Sequence, residues 1–473
     1  MFFSPKTGKG GVAEMLSIAL PMIVSTSCDG IMTFTDRLFL SRLGPEQMNA
    51  AMGGGVAMQM MMFFFIGLTG YTTALVAQYF GARQKNMTTV AAFQAMLIAV
   101  VAYPVILICK PLGLAFFDFM RIPEGQVVYQ KAYYNIVIYG VVIGILRNVL
   151  SCYFSGIGKT RIVMIASLSA MIVNVVLDYI MIFGKLGFPA MGIEGAAIAT
   201  ILGGFCGLVI MIAVYFGKHN RDEFHVRDSF RFDWNVMRKL LHFGYPAGLE
   251  LFLNFLAFTS MIFIFHSHGL VSATASTIMF NWDLVSFIPL LGIEIAVTSL
   301  VGRYMGAGTP ETAHHAAMSG IKTGIFYSLV ILILFLLVPE YLVKVFHPKN
   351  ESALFDQVVP VATAMIRIAS LYVLAEAVMV AIVGALRGAG DTHFTMIISV
   401  AAHWSFVPIV YFMLKVWNMS PVTAWLGLVI MFLLFCGVLI LRYRSGKWQT
   451  IRVVGSREKE RAGEREKGRR GEK

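Results

Sequence analysis

Twelve apolar stretches recur along this chain, each long enough to cross a hydrocarbon core of about 30 Å. No water is available there to satisfy backbone N–H and C=O groups, so each stretch must be a helix; a spanning barrel would show the weaker alternation of strands. We place them near 15–38, 49–76, 88–110, 131–155, 162–184 and 194–216, then near 240–266, 273–300, 318–338, 357–386, 394–416 and 419–442. Composition agrees, with 58% of residues hydrophobic and 14% charged, against roughly a quarter charged in soluble domains. The predicted class is an all-α polytopic membrane protein. The first apolar run contains Asp29 and Asp36, which the core of a cleavable signal peptide would not.

The chain repeats itself. A shift of 225 residues brings Pro21 onto Pro246, Gly44 onto Gly269 and Gly67 onto Gly292, and lays Gln78–Ala82 on Arg303–Ala307. A shift of 232 lays Ser155–Thr160 on Arg387–Thr392. Each repeat holds an even number of spans, so both enter the membrane in the same direction, and two six-helix lobes should be related by an axis along the membrane normal with a cavity between them.

Lys and Arg near the span ends set the orientation. Lys6 and Lys9, Arg83 and Lys85, Lys159 and Arg161, Arg303, Arg387 and the tail all fall on one side, which places both termini in the cytoplasm and requires an even span count. The divisions predicted are an N-terminal lobe 1–216, a cytoplasmic inter-lobe loop 217–239, a C-terminal lobe 240–442 and a basic disordered cytoplasmic tail 443–473. From Arg442 onward there are 12 Lys and Arg against 5 Glu; such a run reads as a solvated segment touching anionic lipid rather than as a nucleic-acid site. The five cysteines sit inside apolar segments without metal-ligand spacing and read as small hydrophobes.

Acidic side chains inside spans carry the functional information, because each costs several kcal/mol unless paired, neutralised or wet. Asp29 and Asp36 share a helical face two turns apart, and Asn174 and Asp178 share another. Two carboxylates with an amide between neighbouring helices can coordinate a small cation or share a proton. The second half carries Glu250, Asp283, Glu294 and Glu376, with Tyr372 one turn before Glu376 and Asp283 read as a helix-end residue. The acids do not follow the repeat: Met261 stands opposite Asp36 and Gly144 opposite Glu376. The run Met58–Phe65 reads as lipid-facing bulk or as a flexible lining for aromatic cations, and His403 as a packed histidine. Enzyme motifs fail. Tyr153 stands where a phosphate loop needs glycine, and there is no HExxH, nucleophile elbow or Cys/His cluster.

At Ala19–Gly44, Gly156–Gly184, Phe188–Thr200, Phe243–Phe258, Gly302–Gly308 and Glu376–Thr392 the chain resembles the multidrug and toxic compound extrusion (MATE) family, over residues 10 to about 440. The resemblance implies alternating access between two lobes, with a proton or sodium ion entering as a toxic organic compound leaves. It places a first-lobe cation site at Asp36, Asn174 and Asp178, with Thr200 as a fourth member and sodium, if used, held by Asp36 and Asp178. In the second lobe it points to Glu376 and Tyr372 as cation or substrate residues. Asn254 stands where relatives often have an acid, which makes Glu250, one turn earlier, the geometric substitute, and Glu294 replaces a small residue. The expectation is an antiporter, not an enzyme, without a cofactor beyond the coupling ion. It is a monomer in the plasma (inner) membrane whose partners are small organic drugs and lipid. The alternative is a flippase for a lipid-linked precursor, which predicts extra spans and a cationic cavity.

Overall fold

The computed structural model describes residues 8–119, 124–347 and 352–455. The first half contains α1 (Val12–Ser41), α2 (Pro45–Gly70), α3 (Thr72–Gly81), α4 (Lys85–Phe119), α5 (Glu124–Val137), α6 (Val141–Gly156), α7 (Thr160–Phe183) and α8 (Ile193–Tyr215). A short α9 (Lys218–Phe224) leads to α10 (Trp234–His266), α11 (Leu270–Gly306), α12 (Pro310–Leu337), a short α13 (Pro339–Lys344), α14 (Ser352–Ala389), α15 (Thr392–Tyr411) and α16 (Pro421–Arg444). Among the described residues there is no strand. Twelve helices are long and apolar enough to span a membrane, counting α2 with α3 and α5 with α6 as one span each. All twelve fall where hydropathy placed them, and most run a turn or more beyond the apolar core. Prolines at the first position open α2, α12 and α16, where the missing N–H is no loss, and Ser420 caps α16 by accepting from Thr423 N at 3.2 Å.

Two lobes follow the repeat, but their cores are exchanged at the leading helices. Met15, Ile18 and Ala19 of α1 pack into a core otherwise built from α11, α12, α14 and α16. Val236, Met237 and Leu240 of α10 pack reciprocally into the core of the first half. Met15 and Leu240 are equivalent in the repeat register, so each half lends the start of its first span to the other.

The seam between the lobes is made by glycines in the same reciprocal manner. A Cβ on Gly81 would lie 1.8 Å from the Arg303 carbonyl oxygen, and one on Gly306 would lie 2.0 Å from that of Gln78. Gly67 abuts Ala247 and Gly248, while Gly292 abuts Ile23. Backbone packed this closely tolerates only hydrogen at those positions. Polar bonds reinforce the seam: Gln78 Nε2 donates to Gly388 O at 2.8 Å, Ser299 Oγ to Ser155 O at 2.6 Å, and Tyr304 OH to Glu14 Oε2 at 2.7 Å. Helix α12 joins segments far apart in the chain: its Ser319 Oγ donates to Gly10 O at 2.7 Å, and its His314 Nδ1 lies 2.8 Å from Tyr443 OH.

Three expectations need correction. The inter-lobe stretch 217–239 is not simply a loop: it holds α9, the first turns of α10 and the buried side chains Phe224 and Val226. Phe224 escapes water by stacking on Phe80, at 6.2 Å between centroids, and lying under Lys159. The tail is ordered at its start. Trp448, fully buried, stacks on Tyr443 at 5.2 Å, and Val453 seats against Gly390, which a Cβ there would meet at 2.6 Å. Ile451, Val453 and Val454 pack this strap against the first half's core and Trp448 packs it into the second half's, despite the surrounding charge; the remainder, 456–473, lies outside the described residues. The Met58–Phe65 run is not simply lipid-facing: Phe63 meets Phe255 edge-on at 4.8 Å across the seam, while Met58, Met61, Phe64 and Phe65 pack against the first half's core.

Candidate ion-binding sites in the two lobes

The first-lobe residues singled out in the sequence converge. Asp36 comes from α1, Asn174 and Asp178 from consecutive turns of α7, and Thr200 from α8; the Asp36 carboxyl lies beside the other three. Gly203 makes this possible, since a Cβ there would meet the Asn174 Cβ at 2.8 Å and hold α8 away from α7. Asp36, Asn174 and Asp178 are 7%, 0% and 0% exposed. Thr200 Oγ1 lies 3.2 Å from Asp36 Oδ2 and 2.9 Å from the Ala196 carbonyl. Asp36 Oδ1, both Asp178 oxygens and both polar atoms of the Asn174 amide close no hydrogen bond. Among the described residues neither aspartate forms a salt bridge. Arg37, the next residue along α1, acts on Asp36 without pairing with it. Tyr133 of α5 lies against Thr200 and Asp36, and no spacing in the sequence marked it. Asp29, on the same helix, is half exposed and bonded to Arg147 at 2.5 Å, which removes it from the site.

The second-lobe candidates do not form one site. Glu250 and Glu294 converge on Arg387, at 3.1 and 2.5 Å, so Glu250 does not stand in for the missing acid at 254: the guanidinium already holds it. Asn254 donates instead to Ser399 Oγ at 2.8 Å. Glu376 lies apart from these, beside Asp283 of α11, which accepts a hydrogen bond from Tyr372 OH. Glu376 Oε2 is buried and unbonded, and among the described residues neither Glu376 nor Asp283 has a basic partner. Asp283, expected at a helix end, is mid-helix in α11 and belongs to this centre. The five cysteines are unpaired.

The MatE family profile matches residues 21–180 and again 246–412. The chain belongs to the MATE family of transporters. The two matches begin at Pro21 and Pro246, the prolines that the internal repeat superimposes. Similar curated proteins include the probable multidrug resistance protein NorM of Thermotoga maritima, 27% identical across 94% of this chain and 95% of its own. Another is the multidrug resistance protein PmpM of Pseudomonas aeruginosa, 26% identical across 88% of each. Among solved structures, a MOP superfamily transporter from Pyrococcus furiosus aligns with a TM-score of 0.83 at 20% identity, over 93% of this chain and 96% of that one. A MATE protein in complex with MaL6 aligns equally well, with a TM-score of 0.83 at 21% identity and the same coverage. These establish the MATE fold and a multi-pass membrane protein.

Proposed function

We propose that this MATE protein is a secondary active multidrug efflux antiporter. It exchanges a proton or sodium ion for organic, often cationic and aromatic, compounds by alternating access. One observation carries the reading: Asp36 and Asp178 face each other, buried, and among the described residues neither forms a salt bridge. Two carboxylates so placed cannot both stay charged unless something positive joins them. Thr200 supplies the means to register the change. Its single hydroxyl proton can serve Ala196 or Asp36, not both. With Asp36 protonated, the acid donates to Thr200, which keeps its bond to Ala196; with Asp36 ionised, Thr200 turns to the aspartate. Ion occupancy is thus tied to the α1–α8 contact.

The multidrug-resistance names of the relatives support the substrate class. The basic loops support an orientation with both termini in the cytoplasm of a plasma (inner) membrane protein, and we propose a monomer. In that orientation the glycine seam closes the cytoplasmic side. A lipid-linked-precursor flippase fits less well, since among the described residues the buried charged groups of the spans that form no salt bridge, Asp36, Asp178 and Glu376, are acidic.

Efflux of ethidium from vesicles reconstituted with the full chain tests the reading. An imposed pH or sodium gradient should drive efflux, and Asp36→Asn should abolish the coupling. If neither gradient drives transport, the antiporter reading is wrong. If Asp36→Asn remains fully coupled, the site is wrong while the family assignment stands.

A further inference from the structure

We propose that Glu250, Glu294, Arg387 and His403 form a second proton-binding site, in the C-terminal lobe, separate from both Asp36 and Glu376. One guanidinium holds two carboxylates, Nη2 at 3.1 Å from Glu250 Oε2 and Nη1 at 2.5 Å from Glu294 Oε1. With every member in its ordinary form and the imidazole neutral, the cluster carries one excess negative charge. The two glutamate side chains are 4% and 14% exposed, and an unbalanced charge so buried within a spanning lobe is costly. Among the described residues, the charged groups acting on Glu294 and Arg387 are only each other and Glu250. One proton brings the cluster to neutrality.

Hydrogen bonding points the same way. Glu250 Oε2 meets Arg387 without hydrogen-bond geometry, and that oxygen, Arg387 Nε and Asn254 Oδ1 are all buried and unbonded. The cluster therefore has hydrogen-bonding capacity left to fill, which a fully charge-matched network would not. From α15, His403 Nδ1 lies 2.8 Å from the Ser399 carbonyl. A carbonyl only accepts, so Nδ1 carries the hydrogen and Nε2 is left as the lone-pair nitrogen able to receive a proton. Glu250 acts on this imidazole electrostatically, and Phe406 and Phe435 flank the ring at 5.6 and 6.0 Å. Ser399 also accepts from Asn254, so α10 and α15 are tied together beside the cluster.

Position gives the site its use. Glu250 follows Gly248 by two residues and Glu294 follows Gly292 by two, and both glycines are seam contacts with the first lobe, at Phe64 and Ile23. Arg387 stands three turns beyond Glu376 on α14, roughly 16 Å along the axis. Protonation would change the charge directly behind the seam, on the lobe opposite Asp36. The step is simple association of a proton from water with the cluster, with no bond broken. It goes beyond the antiporter reading and does not depend on it.

A difference titration of the full chain in lipid nanodiscs tests the site. The background is Asp36→Asn with Glu376→Gln, which removes one carboxyl from each of the other acidic centres; Asp178 and Asp283 remain in background and variants alike and cancel in the difference. Adding Glu294→Ala leaves Arg387 and Glu250 matched one to one and should remove the proton in question: between about pH 6 and pH 9, above the range in which an ordinary glutamate titrates, the background protein should release about one proton per chain more than the variant. Glu294→Gln, which keeps the side-chain volume, should behave as Glu294→Ala and guards against a folding defect, with thermal unfolding as the check on both. Coincident titration curves for background and variants would overturn the proposal and leave the Asp36 reading untouched.

Discussion

The Cβ that Gly306 lacks would fall 2.0 Å from the carbonyl oxygen of Gln78, and the equivalent Cβ of Gly81 would fall 1.8 Å from that of Arg303. Each half of the repeat supplies one glycine and one carbonyl, so the seam is self-complementary in the way a two-fold interface is. Gly306→Val must push the lobes apart, because a backbone carbonyl cannot swing aside as a side-chain tip can. We expect a loss of several kcal/mol and a clear fall in the thermal unfolding midpoint. Gly437→Ala, where nothing lies within 4 Å, should leave the midpoint unchanged or slightly higher, since alanine favours the helix.

Thr200→Val removes the hydroxyl that links Asp36 to α8 while keeping the volume. One hydrogen bond to a carboxyl group corresponds to about 1.4 kcal/mol, or about tenfold in affinity. The ion concentration giving half-maximal efflux should shift by about that factor, with maximal efflux largely retained.

Trp448→Ala tests the strap. Removing a fully buried indole that stacks on Tyr443 should cost about 3 kcal/mol, read as a lowered unfolding midpoint. If residues after Arg444 were merely solvated, the substitution would be silent.

Outside the spans, Glu223 on α9 draws in the ammonium groups of Lys85 at 2.8 Å and Lys159 at 3.9 Å, with His219 Nε2 at 3.0 Å. The hydrogen bond from Lys85 is the main cause holding its carboxyl below the usual glutamate value of 4.5. A folded value below the unfolded one means the stabilisation is present above the unfolded value and lost as pH falls through the folded one. Glu223→Gln should therefore cost about 0.5 kcal/mol at neutral pH, as an exposed pair does, with the difference closing below about pH 4 and shrinking in high salt. Midpoints of both proteins across pH provide the check.

The spans and the repeat were readable because each is local or periodic. An apolar run is visible wherever it lies, and Asn174 and Asp178 share a helix face at a fixed spacing. The partners of the second-lobe acids were not readable in this way. Arg387 is 93 positions from Glu294 and 137 from Glu250, near the end of its helix, where it reads equally well as an orientation-setting loop charge. Asp283 read as a helix-end residue because nothing nearby in sequence announces Tyr372. The strap was hidden by its charges, since Trp448 and three smaller apolar side chains are scattered among many basic ones.

Sequence by itself determined that this chain spans a membrane twelve times in two like halves, because hydrocarbon admits only helices and duplicated glycines and prolines keep their register. The family resemblance, not composition or spacing, pointed to Asp36, Asn174, Asp178 and Thr200, the four side chains that converge in the first lobe. Only the tertiary structure decided that the halves exchange their leading helices, that Glu250 and Glu294 share one arginine while Glu376 turns to Asp283, and that the tail begins as a strap. Those outcomes depend on which helix faces meet, and pairing across helices a hundred residues apart leaves no periodic trace in the chain.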